Sequence, residues 1–282
     1  MPSDDNPFSA MSGDVVEKRH RFLDEMGDPT FYGKGRTLIV GQEGVSLTFG
    51  MGIVRIDGDL SEVRNRVKDL EAQISADPLL NTIPSVQKRI QSGGFFFHAC
   101  KDAPEVRVEL FRYIRSLNCE AEVVVARKIP ALFEKAHHGR EDEFYADLLS
   151  HLIKGRLKHP GTLVLNVAQR GSSTRDKILT SALDLATERA ARKFGKENLR
   201  TKAVFNVQTP RTEPLLTISD YLCWAVQRVF EKGEIRFYNY LKEKIRLVID
   251  LYDSARYERN QDYYDHQKNP LTVHNKIGPP IT

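Results

Sequence analysis

The chain has 282 residues, 40% of them hydrophobic and 28% charged, a globular balance that excludes a low-apolar disordered chain and a membrane-embedded one. Its 42 basic and 38 acidic residues leave a formal charge of +4, far milder than a protein built to coat nucleic acid carries. The length exceeds that of a usual single domain, but an α/β sheet with helices on both faces absorbs it around one extended core.

Cys100, Cys119 and Cys223 share no CxxC or Cys/His spacing, so neither a disulfide framework nor a zinc site is expected, and a reducing, cytoplasmic setting is. Residues 1–14 are polar and acidic. No later stretch approaches the roughly 18 apolar residues of a membrane span, so no export signal and no membrane partner are expected. Basic residues gather at Arg107, Arg112 and Arg115, at Arg127 and Lys128, and at Arg189, Arg192 and Lys193. Each group fits phosphate contact if folding collects it, and fits a solvated helix face or strand end more simply.

In chain order, residues 1–18 read as a flexible leader. Arg19 to Glu25 reads as a short strand entering the turn Met26-Gly27-Asp28-Pro29. Thr37 to Val40 and Val45 to Ile56 read as a hairpin around Gly41 to Gly44, which makes the first three strands an antiparallel meander. Ser61 caps a helix carrying Val63, Val67, Leu70 and Ile74, after which Pro78 and Pro84 interrupt the periodicity. Phe95 to Phe97, closed by His98, reads as a buried strand. Pro104 opens a helix with Val108, Phe111 and Ile114 on one side, and Glu120 to Ala126 alternates as a strand.

A helix over Glu141 to Lys154, a strand over Thr162 to Ala168, a helix over Thr174 to Phe194 and a strand over Lys202 to Gln208 continue the alternation, which implies parallel neighbours and a sheet covered on both faces. Leu215 to Phe230 is apolar around most of its circumference, as a helix packed on the sheet would be. Ile235 to Tyr252 shows helical spacing at Tyr238, Leu241, Ile245, Val248 and Ile249, predicting a helical C-terminal extension. Residues 256–282 read as an irregular tail.

Two acidic positions stand out. Asp24, Glu25 and Asp28 place three carboxylates at a strand end, and strand alternation sends Asp24 and Glu25 to opposite faces. Asp24 is the preferred candidate and Glu25 and Asp28 are secondary, Asp28-Pro29 reading as a turn. Asp220 lies on a nearly all-apolar helix, where a carboxylate is costly unless paired, protonated or bound to a cation. It also fits a helix cap beside Thr217 and Ser219.

Leu23-Asp24-Glu25-Met26-Gly27-Asp28 resembles the opening motif of the proteins grouped as domain of unknown function 3800, with Met26 in place of a small residue. Phe97-His98-Ala99, Ala168-Gln169-Arg170-Gly171 and Ile218-Ser219-Asp220-Tyr221 resemble that family's later motifs, in the same order. The resemblance implies a ribonuclease H-like domain over residues 19–255 with insertions: a mixed central sheet, helices on both faces, and acids of the first strand and last helix converging on divalent metal. It assigns magnesium or manganese to Asp24 and Asp220. Gln169 stands where an acid is usual and offers a neutral oxygen at most, while Arg170 is the candidate to neutralise a phosphate. Asp176 and His98 are secondary candidates, the first also a helix-start acid and the second also a structural histidine. The expected activity is metal-dependent phosphodiester cleavage of RNA or DNA. The alternative is an inactive module of the same fold that binds nucleic acid or a protein.

Overall fold

The computed structural model describes residues 17–169, 176–253 and 262–278. Residues 1–16 of the expected 1–18 leader, Arg170, and residues 256–261 and 279–282 of the expected tail lie outside the described residues, while Lys18 of that leader begins the first strand. The elements run β1 (Lys18–Gly27), β2 (Thr48–Ile56), α1 (Leu60–Ala76), α2 (Pro84–Gln91), α3 (Pro104–Ser116), β3 (Cys119–Arg127), α4 (Pro130–His137), α5 (Glu141–Ile153), β4 (Gly161–Ala168), α6 (Asp176–Phe194), β5 (Thr201–Gln208), α7 (Leu216–Lys232), α8 (Arg236–Leu241), β6 (Ile245–Leu251) and β7 (Tyr263–Tyr264).

The strands form one seven-stranded mixed sheet in the order β5-β4-β1-β2-β3-β6-β7. β1 pairs antiparallel with β2 and parallel with β4; β2 pairs antiparallel with β3, and β4 parallel with β5. β6 lies parallel to β3 and antiparallel to the short β7. Helices cover both faces, so the chain is an α/β fold with two hydrophobic layers divided by the sheet.

Alternation along the strands feeds the layers. Phe22, Met26, Val54 and Ile56 point into the layer with α1, α3, α7 and α8. Leu23, Phe49, Met51, Ile53 and Val124 point into the layer with α4, α5 and α6. α1 buries Val63, Val67, Leu70 and Ile74 as its spacing predicts, but its N-cap is Asp59, whose side chain accepts the Ser61 N–H at 2.7 Å.

α7 packs on β1 and β2, and β2 is shaped to receive it. Gly50 and Gly52 fall on the α7 side of the strand, and a Cβ built on Gly52 would lie 2.3 Å from Cys223 Sγ. Glu231, at the far end of α7, accepts the Leu47 and Thr48 N–H groups at 3.1 and 2.8 Å and so ties the helix to the strand's start. Gly52→Ala is therefore expected to cost about 1–3 kcal/mol of stability, as overpacking does. Urea unfolding checks it, and an unchanged midpoint would contradict the close approach.

The tail expected to be irregular contributes Tyr263 and Tyr264 as β7, paired with β6, and three other elements differ from the sequence reading. Thr37 to Val40 forms no strand: left-handed residues at Gly35, Arg36, Gly41 and Gly44 turn the chain repeatedly, and β2 pairs directly with β1. The antiparallel trio is thus β1, β2 and β3, with three helices between the last two. Phe95 and Phe97 are buried, but the segment is not a strand; side chains, as described below, bond its backbone. Ile235 to Tyr252 is not one helix, because α8 ends at Leu241 and β6 follows. Over so few residues Ile245, Val248 and Ile249 fit either period, and the β-branched content and the open edge of β3 decide for the strand. Two further helices, α2 and α4, each begin at a proline, Pro84 and Pro130. Pro84 thus starts a helix rather than only ending one.

Candidate functional site

β1 runs three residues beyond Asp24, to Gly27, so this acid lies within the strand rather than at its end. Its alternation with Phe22 and Met26 puts it on the α7 side. Asp220 is the part-buried residue among the otherwise buried Leu216 to Ala225 of α7. One turn on, Cys223 Sγ lies 3.7 Å from the Asp24 carbonyl oxygen, so Asp220 and Cys223 share the helix face turned toward Asp24. The two carboxylates feel each other: burial, and then the charge of Asp220, push the Asp24 carboxyl well above the usual carboxylate range.

Each acid is held by a backbone donor. Asp24 Oδ1 accepts the Glu25 N–H at 2.7 Å, and Asp220 Oδ2 accepts the Ala99 N–H at 2.8 Å. His98 Nδ1 lies 3.4 Å from the same Asp220 oxygen. Burial and the two carboxylates together hold the Cys223 thiol well above its usual range, which keeps it protonated and removes it as a nucleophile.

The segment carrying His98 and Ala99 has no ladder partner, and charged side chains latch it instead. Asp102, buried, accepts the His98 N–H at 2.9 Å and the Tyr221 hydroxyl of α7, and pairs with Arg89 at 2.6 Å. Arg89 also donates to Phe96 O at 3.0 Å. Arg107 donates to Ala99 O at 2.9 Å while stacked over the Trp224 ring at 4.3 Å. On the outer side the Glu71 carboxylate accepts the Phe97 N–H, and burial raises that carboxyl to about 7.

Glu71 carries a pH consequence. Its folded pKa stands above its unfolded one, so its contribution is fully present below about 4.5 and is lost as pH rises through about 7. Glu71→Gln is expected to flatten the decline in melting temperature between those pH values. An unaltered pH profile would place Glu71 in water.

The remaining expected site residues fall elsewhere. Asp28 accepts Thr30 N–H, Ser46 N–H and the Ser46 hydroxyl at 3.0, 2.9 and 2.8 Å and pairs with the buried Lys128 at 3.1 Å, so it pins the 28–47 loop. Glu25 is one residue out of phase with Asp24 and takes the opposite face. Counting on from Leu23↔Val167 in the β1–β4 register, Ala168 stands beside Asp24, and Gln169 beside Glu25. Gln169 joins the sheet through its N–H to Gln208 O at 2.8 Å, one residue out of step with the place the sequence reading gives it. Asp176 opens α6, whose buried residues lie in the opposite layer.

Sequence reasoning missed Gly50, Gly52, Asp102, Arg89 and Glu71. The alternation Gly50-Met51-Gly52 in an apolar strand signals close helix approach; the others carry no local signal. Among the described residues no group of three or more His, Cys, Asp or Glu is placed to hold a metal ion, and no described helix is long and apolar enough to cross a membrane. No protein-family model matches the chain, and no curated protein matches it.

Proposed function

We propose that the chain is a divalent-metal-dependent phosphodiesterase of ribonuclease H-like fold acting on nucleic acid, with Asp24 and Asp220 as its metal ligands. The observation that carries this reading is the convergence of a mid-strand and a helix carboxylate on one face, each steadied by one backbone N–H. The strand order β5-β4-β1-β2-β3, with β2 alone reversed among the five, supports the fold assignment, as does the resemblance of the Asp24 and Asp220 motifs to domain of unknown function 3800.

The donor chemistry fits one hard cation. Two carboxylates that repel each other in a part-buried site would be stabilised together by magnesium or manganese held by Asp24 and Asp220. Such an ion, when bound, supplies charge stabilisation at phosphorus and a bound water of lowered pKa. Asp24 and Asp220 would hold the site's negative charge, the Ala99 N–H fixes the Asp220 rotamer, and His98 Nδ1, a buried atom 3.4 Å from the same Asp220 oxygen, lies against that carboxylate.

A competing reading, a non-catalytic module that binds nucleic acid or a protein, is favoured by the place of Ala168 beside Asp24, which supplies no third acid. The wild-type protein incubated with labelled RNA and DNA panels, with manganese or with a chelator, separates the two. Manganese-dependent cleavage supports the enzyme, and absence of cleavage across the panels favours the module.

A further inference from the structure

On the face of the sheet opposite Asp24, a cavity of about 730 Å³ opens beside the N-terminal end of β1. α5 stops at Ile153, and the turn through Arg156 to Pro160 leads into β4, leaving the ends of β1, β2 and β3 uncovered there. Arg19 and Arg21 enter from β1, Arg55 from β2, Arg246 from β6, and Arg156 and Lys158 from the turn. Glu17, Glu120 and Glu122 also line it, so positive side chains outnumber negative ones two to one.

The pairing is uneven. Glu122 takes Arg156 at 2.8 Å and also Arg246, and Glu120 takes Arg55 at 3.5 Å and Arg246 at 3.7 Å. The arginines on the β3 side of the cavity are thereby paired, Arg55 also with Asp57 at 3.2 Å. On the β4 side, Arg19 donates to His159 O at 3.0 Å and Thr201 Oγ1 at 3.3 Å, and Arg21 to His20 O at 2.7 Å. Among the described residues no carboxylate stands within salt-bridge distance of either. Arg19 Nε is buried and has no hydrogen-bond partner. Burial and then the charges of Arg156, Arg55 and Arg19 push the Arg21 guanidinium down to about 10.

We propose that this cavity is a binding site for a compact polyphosphate, the phosphate chain of a nucleoside di- or triphosphate or inorganic polyphosphate, seated against Arg19 and Arg21. Guanidinium groups offer paired N–H donors that match phosphate oxygens, and the volume lies within the range of sites for molecules of nucleotide size. The lining side chains leave an excess of three positive charges, more than the about −1.5 to −2 of a single phosphate, so a second phosphate is needed to match them. Because the cavity lies on the other face and toward the other end of β1, binding there is independent of metal at Asp24 and Asp220.

Calorimetry in a chelator-containing, low-salt buffer tests it, with inorganic tripolyphosphate and a purine nucleoside triphosphate as the probes. Wild type is expected to bind at least one of them, with affinity falling as salt rises. Equal binding of both points to the phosphate chain alone, and preference for the nucleotide points to added base contacts. Arg19→Gln and Arg21→Gln should each weaken binding at least about tenfold, and Arg21→Gln should do so without lowering the melting temperature of the unliganded protein, since it removes a cation repelled by Arg156, Arg55 and Arg19. Should either fail to fold, Arg19→Lys and Arg21→Lys are the substitutes, which keep the charge but lose the paired donors and are expected to weaken binding in the same direction. No binding of either probe to wild type, or wild-type affinity in the folded variants, overturns the proposal.

Discussion

Asp24→Asn and Asp220→Asn are each expected to lower manganese-dependent cleavage by at least roughly a hundredfold, the scale lost when a charge-stabilising group leaves an active site. Each variant removes one of the two proposed ligand carboxylates while keeping the side chain's shape. The interaction lost belongs to the transition state and the core stays packed, so circular dichroism should be unchanged. Stability supplies a second, opposite readout. Burial and the Asp220 charge raise the Asp24 carboxyl, so in metal-free protein at neutral pH its ionised form destabilises the fold. Asp24→Asn should therefore hold or raise the melting temperature, by roughly 2–4 °C for each kcal/mol gained at this size. Loss of cleavage with a lowered melting temperature would instead indicate a damaged fold.

Asp102→Ala is expected to cost about 3–5 kcal/mol, because it leaves the guanidinium of the buried Arg89 without its carboxylate. It also frees the His98 N–H and the Tyr221 hydroxyl at once. The segment that presents Ala99 to Asp220 loses its latch, so metal affinity should fall even where the fold survives. Urea unfolding reads the stability and manganese titration reads the site. The double variant Arg89→Met with Asp102→Leu should lose much less than the two single changes add up to, since no unpaired charge remains. Additive losses would show that the ion pair does not couple the two residues.

The sheet was legible where alternation was strong and flanked by turn residues. Thr162 to Ala168 and Lys202 to Gln208 match β4 and β5 to within a residue, and the apolar Leu215 to Phe230 matches α7 to within two. Ile245 to Leu251 was not, because a seven-residue apolar stretch fits a helix and a strand alike, and only its neighbour β3 decides. Phe95 to Phe97 misled for a different reason: burial was readable, but the bonding of its backbone to Glu71 and Arg89 depends on residues brought in by α1 and α2. Asp220 stood out as an acid on an apolar helix, whereas Asp24 was one of three acids at a strand end, joined to Asp220 by the resemblance to domain of unknown function 3800. The neighbour of Asp24 was not legible, since a shift of one residue in the β1–β4 register exchanges Gln169 for Ala168. The basic groups at Arg127 and Lys128 and at Arg189 and Arg192 proved to be paired with Asp250, Asp28, Asp147 and Glu188. The cavity's arginines come from four separated segments, a gathering that no local window reveals.

Calorimetric titration of manganese into the metal-free wild type, Asp24→Asn and Asp220→Asn is the most direct test of the acidic pair. One ion is expected to bind per wild-type chain, weakened by at least roughly tenfold in each variant. Wild-type protein that takes up no manganese, or variants that bind it as tightly as wild type, would contradict it.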